Sequence, residues 1–112
     1  MPHLAHHTAV RIADVALEPF DAGEGAPATA LQPLATLGGL EIGVWEMAAG
    51  EARDIEAEEV FVVVSGRGRI EIDDVVVPLE PGVIVRLAEG ARTRWIVTET
   101  LRKVYLTASL SA

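Results

Sequence analysis

From residue 30 onward, turn-forming residues interrupt the chain at regular intervals, and this spacing constrains the fold more than any other feature. Glycine, proline and acidic pairs separate apolar runs of five to nine residues that are rich in valine, isoleucine and leucine. The interruptions are Gly38-Gly39, Gly50, Gly66 with Gly68, Asp73-Asp74, Pro81-Gly82 and Glu89-Gly90. Such spacing is typical of short antiparallel strands in a sandwich or barrel. No window carries the periodicity of a useful amphipathic helix, so the sequence predicts an all-β protein.

Two apolar runs lie on either side of the segment SGRG at 65–68. The run VFVVV at 60–64 is apolar on both faces and predicts a central strand, whereas RIEID at 69–73 alternates as a half-buried strand does. We expect these runs to pair as a hairpin through residues 65–68, because glycine relieves the positive φ angles of a tight connection. Asp73-Asp74 predicts a second tight turn, which leads into VVVPL.

The first 29 residues differ in composition from the rest of the chain. Residues 20–29, FDAGEGAPAT, concentrate glycine, proline, alanine and acid without apolar periodicity, so we expect a surface loop rather than a domain boundary. We predict that residues 1–29 form an N-terminal arm with one short strand and this loop, and that residues 30–112 form the barrel. A chain of 112 residues fits a single domain with one core.

Composition and charge exclude several classes of function. The chain has no cysteine, which removes disulfides, thiolate metal sites and cysteine nucleophiles together. Its formal net charge of -8 repels phosphate backbones and anionic membrane surfaces, so nucleic acids and membranes are not expected partners. No apolar run approaches the ~18 residues that span a bilayer, and MPHLAHHTAV lacks the order of a signal peptide. We therefore expect a soluble cytoplasmic protein.

Glu59 and Gly66 are separated by six residues, and Gly82 and Gly90 bracket a later apolar run. This pattern resembles the two sequence motifs of the cupins, which are small double-stranded β-helix (jelly-roll) barrels. The resemblance implies an all-β cupin barrel with Glu59 facing its interior. The motif histidines would fall at Ala52 and Asp54, or at Arg53 and Ile55, and at Thr93, and none of these positions is a histidine.

A longer series of short motifs extends over residues 38–107. It comprises GVWE (43–46), Gly50, EEVFVVVSG (58–66), PGV (81–83), AEGARTRW (88–95) and TLRKVY (100–105). This series is similar to the largely uncharacterised cupins grouped as the (S)-ureidoglycine aminohydrolase cupin domain. Val83 and Ala88 depart from that pattern, which usually has an acid and a proline there. The activity of those relatives is associated with a metal, so the missing histidines prevent transfer of the activity with the label.

Glu59 is the leading candidate for a functional side chain. Strand alternation puts residues 59, 61 and 63 on one face, so an inward Glu59 would share the cavity with Phe61. An unpaired carboxylate there would have a raised pKa, and it could act as a general acid or base or bind a hydroxyl, amine or guanidinium. The alternative is a structural ion pair with Arg53, Arg94 or Lys103. Glu56 and Glu58 have the other parity, and we expect both in solvent.

Three of the aromatic residues, Trp45, Trp95 and Tyr105, fall within the quoted motifs. By parity with Thr93, Trp95 faces the interior, and Trp45 closes a wall beside it, which would form a small-molecule pocket. Alternatively, both tryptophans are ordinary core residues. Lys103 and Tyr105 share a strand face, and if they reach the cavity they are acid–base candidates.

The sequence predicts neither a metal site nor a cofactor. Transition-metal sites need several converging ligands, typically including histidines, and this barrel offers only Glu59 and Asp54. The histidines of the chain are His3, His6 and His7. His3 and His7 have i, i+4 spacing, but Pro2 and the chain end favour a frayed terminus.

Three functions fit these observations. The first is a metal-free cupin of unknown biological role that binds a small polar organic molecule. Its binding residues would be Trp45, Asp54, Glu59, Phe61, Thr93 and Trp95. The second is an enzyme of ureidoglycine aminohydrolase-like or isomerase type, in which Glu59 moves a proton with help from Lys103 or Tyr105. The third is a structural or partner-binding barrel with a filled interior. We also expect a homodimer, because a small barrel must cover its strand edges.

Overall fold

The computed structural model describes residues 4–108, and most of them lie in antiparallel strands, as predicted. The elements in chain order are a short 3-10 helix (Ile12–Asp14), β1 (Glu18–Phe20), β2 (Thr29–Leu37), β3 (Leu40–Met47), β4 (Gly50–Ile55), β5 (Glu59–Ile72), β6 (Val75–Leu79), β7 (Ile84–Leu87) and β8 (Arg92–Ala108). No helix in the described part of the chain is long and apolar enough to cross a membrane.

The last strand, β8, organises the sheet. It is 17 residues long and pairs antiparallel with β3, β4 and β5. Strand β5 pairs in addition with β7 near its start and with β6 near its end, while β2 joins β3 to β1. Because the two longest strands contact partners along both halves of their length, the sheet wraps around a common interior.

Strand β5 is unbroken, so the predicted hairpin at 65–68 is wrong. This segment pairs with β8 instead, with register shifts between residues 63 and 68. Gly66 has φ +94°, and a Cβ at this position would collide with the carbonyl oxygen of Thr100. The glycine is therefore required by a bulge and by close approach of two backbones, not by a turn. The predicted turn at Asp73-Asp74 does occur, and it joins β5 to β6.

The inward face of β8 carries both the core and the polar groups of the interior. Its buried residues alternate with exposed or half-buried ones on either side of an exposed stretch at 98–100: Thr93, Trp95, Val97, Leu101, Lys103 and Tyr105. The apolar ones and Tyr105 form one core cluster with buried residues of β3, β5 and β7: Met47, Phe61, Val63, Ile70 and Leu87. One strand thus delivers a threonine, a lysine and a tyrosine to the interior along with the apolar core.

The residues before β2 lie against the outside of the barrel and end at its opening. Strand β1 pairs with the start of β2, and the segment that follows, 21–25, is exposed. Arg102, on the outer face of β8, fixes this region: its Nη1 donates to the carbonyl oxygens of Ile12 (2.7 Å) and Val15 (3.3 Å), and its Nε donates to Glu46 (2.8 Å).

Candidate functional site

A cavity of about 410 Å³ extends from the surface into the barrel, so the interior is hollow at this end rather than filled. Two tryptophans, Trp45 from β3 and Trp95 from β8, lie in its wall with ring centroids 5.4 Å apart. Phe20, Asp21 and Ala22, at the end of the N-terminal region, line it as well. The remaining ionisable side chains of the wall are Glu41, Arg53, Asp54, Glu56, Glu59, Lys103 and Tyr105. A cavity with aromatic walls and a few polar groups is typical of small-molecule sites.

At the interior side of the cavity, Lys103 and Glu59 form an ion pair. Lys103 is paired across the sheet with Trp45 on β3 and with Val63 on β5, which directs its side chain into the barrel. Its Nζ lies 2.6 Å from Oε2 of Glu59, and the two side chains are only 5% and 12% exposed. Glu59 therefore lines the cavity as one member of an ion pair, which is the alternative with Lys103 that the sequence also allowed.

The ammonium of Lys103 is surrounded by aromatic rings. Its Nζ lies 4.5 Å from the ring centroid of Trp45, 4.2 Å from that of Phe61 and 4.7 Å from that of Trp95. The faces of these rings attract a cation. Burial lowers the pKa of Lys103, and the carboxylate of Glu59 opposes this shift. The amine is thus shielded from water by the rings and has one counter-ion, the carboxylate of Glu59.

Glu56 is buried in the cavity wall, and the prediction that it lies in solvent is wrong. Residues 56–58 connect β4 to β5 and belong to neither strand, so strand alternation does not set the direction of Glu56. Its Oε2 accepts hydrogen bonds from Thr93 Oγ1 (2.6 Å) and Trp95 Nε1 (2.9 Å). Burial nevertheless raises the pKa of Glu56. Sequence parity alone could not have found this residue.

Glu58, by contrast, lies outside the cavity and is half-buried. Its Oε1 accepts a hydrogen bond from the backbone N–H of Glu89 (3.1 Å), and its Oε2 accepts one from Arg86 (3.0 Å). These hydrogen bonds, chiefly the one from the backbone, lower the pKa of Glu58. Neighbouring glutamates at 58 and 59 therefore differ completely in environment, one at the surface and one in the cavity.

Tyr105 reaches the cavity, but its hydroxyl is already engaged. It donates to Oε2 of Glu41 at 2.7 Å, and burial and this carboxylate raise the pKa of Tyr105. Gly43, which pairs with Tyr105 across β3 and β8, leaves room for the ring, because a Cβ at 43 would overlap it. Glu41 was not among the residues predicted from the sequence, since its contact depends on the register of β3 against β8.

Three other predicted binding residues occupy different positions. Phe61 is fully buried and packs 5.5 Å from the ring of Trp95, behind the cavity wall. Thr93 is also buried and acts through its hydrogen bond to Glu56. Asp54 lines the cavity at its exposed side, where its Oδ1 accepts a hydrogen bond from the backbone N–H of Ile55. A role for any of them in ligand binding stays a prediction.

The residues around the cavity do not fit a metal ion. Between residues 4 and 108, no group of three or more His, Cys, Asp or Glu side chains is arranged to hold one. One of the two oxygens of Glu59, Oε2, is bonded to the ammonium of Lys103, whose positive charge disfavours a metal cation beside it. The frayed terminus predicted around His3 and His7 lies partly outside the described part of the chain, which begins at residue 4.

Comparison with known proteins agrees with this architecture. A family model described as the EutQ-like cupin domain matches residues 34–105. The structure is similar to that of the Clostridium difficile EutQ protein, with a TM-score of 0.79 and 21% identity over 93% of this chain and 88% of that one. A Rhizobium leguminosarum protein of unknown function has a TM-score of 0.73 and 22% identity over 94% of this chain and 99% of that one.

A putative ethanolamine utilization protein q from Salmonella typhimurium gives a TM-score of 0.72 and 14% identity over 82% of this chain and 77% of that one. No curated protein matches the chain. The matches confirm the predicted jelly-roll cupin barrel. They do not confirm the narrower resemblance to the (S)-ureidoglycine aminohydrolase cupins.

Proposed function

Since the chain belongs to the EutQ-like cupin domain family, we propose that it binds a small polar organic molecule inside its barrel without the help of a metal ion. The observation that carries this proposal is the cavity of about 410 Å³, which brings two tryptophan rings together with the ion pair between Lys103 and Glu59. The volume is within the range of known ligand pockets, roughly 300–1,000 Å³. Of the polar groups in the wall, Glu56, Glu59 and Lys103 are largely removed from solvent, and such groups can fix the orientation of a ligand.

The free hydrogen-bonding capacity of the wall indicates what such a ligand carries. An ammonium has three donors, and in the described structure Nζ of Lys103 makes one hydrogen bond, to Glu59. A ligand carbonyl or hydroxyl oxygen can accept another. Each carboxylate has two oxygens, and only Oε2 of Glu56 and of Glu59 is bonded, so hydroxyl or amine donors complement the wall. The rings of Trp45 and Trp95 suit the apolar part of the molecule.

A thermal-shift screen tests the proposal with ureides, amino acids, sugars and ethanolamine. Ethanolamine is included because one similar structure is named for its utilization, and because a hydroxylated amine complements carboxylate acceptors. A ligand present at a hundred times its dissociation constant should add about 2.7 kcal/mol to the free energy of unfolding.

The matched control for this screen comes from the two adjacent glutamates. Glu59→Gln should weaken or abolish a ligand-induced shift, whereas Glu58→Gln should leave it unchanged, because Glu58 lies outside the cavity. If no member of the panel shifts the transition, or if both variants behave alike, the proposal is wrong. In that case a partner-binding role for the outer surface becomes the better explanation.

Proton transfer is the second candidate function, and a specific observation favours it. Within one cavity, burial raises the pKa of Glu56 and lowers the pKa of Lys103, so both pKa values shift toward neutral pH. A carboxyl group and an amine shifted in this way suit general acid–base catalysis. Such a pair suits an isomerase-type reaction on a carbon acid. Incorporation of solvent deuterium into a bound ligand, followed by NMR, would reveal it. A metal-associated aminohydrolase reaction is not proposed, because the donor set does not fit a metal.

We also propose that the protein is a homodimer. Strand β6 lies at the end of the sheet path and exposes Val75 and Val76, each 58% accessible. An exposed apolar edge favours pairing with a second copy. Sedimentation should show a dimer that Val76→Lys converts to a monomer. Leu37→Lys, at an exposed leucine elsewhere in the barrel, serves as the control.

A further inference from the structure

We propose that Lys103 is a nucleophilic amine that captures small aldehydes or ketones as Schiff bases inside the cavity. The inference rests on the proposed function, since the carbonyl compound must first enter the cavity. Lys103 is the only lysine of the sequence, and every other side chain that carries a permanent positive charge is an arginine. The one primary amine among the side chains is thus placed in the interior, with 5% of its side chain exposed.

A structural role alone does not account for the choice of lysine. Arginine is the usual partner for a buried carboxylate, because its guanidinium is weakly hydrated and bonds both oxygens. In this protein arginine serves the other ion pairs of the described chain, including the partly buried pair of Arg102 with Glu46. What lysine offers and arginine does not is an amine that can lose its proton and attack a carbonyl carbon.

The surroundings of Nζ match those of reactive lysines. The rings of Trp45, Phe61 and Trp95 exclude water from the ammonium at distances of 4.2–4.7 Å to their centroids. Desolvation favours the neutral amine and lowers the pKa of Lys103. Lys103 also lines the cavity, so a molecule inside the cavity can reach the amine.

The ion pair supplies the proton transfers. Oε2 of Glu59 accepts a proton from Nζ, and the freed lone pair attacks the carbonyl carbon, forming the C–N bond. A proton passes from nitrogen to the former carbonyl oxygen, which gives a neutral carbinolamine. Glu59 then returns its proton to that hydroxyl, water leaves, and a protonated C=N bond forms. One water is released, no oxidant or reductant is needed, and the product keeps its positive charge beside Glu59.

Glu56 indicates which carbonyl compounds fit. Its Oε2 takes both hydrogen bonds from Thr93 and Trp95, and its Oε1 has no hydrogen-bond partner in the described structure. Since no buried side-chain oxygen or nitrogen of residues 4–108 lacks a partner, Oε1 has accessible surface, which the cavity provides. A hydroxyl group on the ligand can donate to it. The class that matches both groups is a small hydroxylated aldehyde or ketone.

Reductive trapping tests the inference on the unaltered protein. Glyceraldehyde and sodium cyanoborohydride are added at neutral pH to the native protein and to protein unfolded in urea, and modification is located by peptide mass spectrometry. The α-amino group serves as the internal reference. Native Lys103 should be modified faster than unfolded Lys103, because its lowered pKa leaves more of the neutral amine and the cavity holds the aldehyde beside it. Its rate should also saturate with glyceraldehyde concentration.

Each other outcome overturns the inference. Modification of native Lys103 at the unfolded rate or more slowly means that burial protects the amine, and a rate that never saturates means that no site precedes the reaction. Lys103→Arg keeps the charge and should leave only the α-amino adduct; the native–unfolded comparison does not depend on this variant folding. If the panel ligands shift the transition but Lys103 is not trapped, the Schiff base is wrong and the proposed function survives. If neither occurs, both are wrong.

Discussion

Nζ of Lys103 lies 2.6 Å from Oε2 of Glu59, with both side chains almost enclosed by the barrel. Removing two charges from water costs several kcal/mol per ion, and attraction between them offsets this cost only while both are present. In addition, Trp45, Phe61 and Trp95 face the ammonium. The pair is therefore a unit: either member alone would be an uncompensated charge in an aromatic interior.

Replacement of one member should destabilise the fold strongly. Lys103→Met removes the cation, keeps a long side chain in the aromatic cage and leaves Glu59 uncompensated, so we expect the free energy of unfolding to fall by about 3–5 kcal/mol. Adding Glu59→Gln to the same chain should recover much of the loss. Urea denaturation measures both variants. A double variant as unstable as the single one would contradict the idea that the isolated charge causes the loss.

A surface pair provides the control for that experiment. Arg86 and Glu58 are also in contact, at 3.0 Å, but their side chains are 77% and 42% exposed. Solvent screens such pairs, whose median contribution is about 0–1 kcal/mol. Arg86→Met should therefore change the free energy of unfolding by less than about 1 kcal/mol.

Glu56 should make the fold less stable as the pH rises through its titration. Burial raises the pKa of Glu56 in the folded state, so between the ordinary glutamate pKa and the raised value the folded protein holds a proton that the unfolded chain has lost. The free energy of unfolding then falls with pH, by at most about 1.4 kcal/mol per unit. Asp54 strengthens this shift, while Thr93, Trp95 and Lys103 oppose it.

Glu56→Gln isolates this contribution. Glutamine can still accept a hydrogen bond from Trp95 but does not titrate. The free energy of unfolding of the wild type minus that of the variant should therefore fall between the ordinary glutamate pKa and the raised pKa of Glu56, and stay constant at higher pH. Other carboxylates, such as Glu58, change stability in the opposite sense and cancel in the difference. A difference that stays flat from pH 4 to 8 would show that Glu56 is not shifted.

The sequence predicted the interior face of β8 correctly because alternation within a regular strand is fixed by geometry. Trp95 and Thr93 share a face, as do Lys103 and Tyr105, and all four are buried. Prediction failed where the chain leaves regular structure. Glu56 lies in a connection to which parity does not apply, and the glycines at 66 and 68 signal a hairpin and a bulge equally well.

The partner of Glu59 was beyond the reach of the sequence for a different reason. Arg53, Arg94 and Lys103 were all possible, and the choice depends on how β5 and β8 are aligned over a separation of 44 residues. Arg94 instead bonds Glu51 and Glu71 on the outside of the barrel. The volume of the cavity could not be predicted from the sequence either, because it depends on how all the strands pack together and not on any one of them.

Trp95→Phe should raise the pKa of Glu56 still further. The indole N–H of Trp95 donates to Oε2 of Glu56 at 2.9 Å, which favours the charged carboxylate, and phenylalanine keeps an aromatic ring but not this donor. Loss of this donor removes a hydrogen bond that stabilises the charged carboxylate, so the carboxyl group should hold its proton to higher pH. Carbon-detected NMR of the carboxyl group measures the titration.

Trp45→Phe is the matched control for that titration. The ring centroid of Trp45 lies 5.4 Å from that of Trp95, and Trp45→Phe also removes an indole N–H donor. Trp45, however, has no hydrogen bond to Glu56 in the described structure, whereas Trp95 has one. We expect the Glu56 titration to move much less in this variant. Equal shifts in the two variants would mean that the aromatic environment, and not the hydrogen bond, controls the carboxyl group.

Gly66→Ala should be far more destabilising than Gly90→Ala, although both glycines have positive φ angles, +94° and +86°. A side chain at either position is strained by its backbone conformation, at a cost of about 1–2 kcal/mol. At 90 a Cβ would meet nothing within 4 Å, whereas at 66 it would overlap the backbone of Thr100 and Leu101 on β8. Backbone atoms in a paired strand cannot move aside as a flexible side chain can, so Gly66→Ala should cost at least about 2 kcal/mol more. Urea denaturation of the two variants gives the difference directly, and equal costs would show that φ strain alone, rather than the approach of β5 to β8, requires glycine at 66.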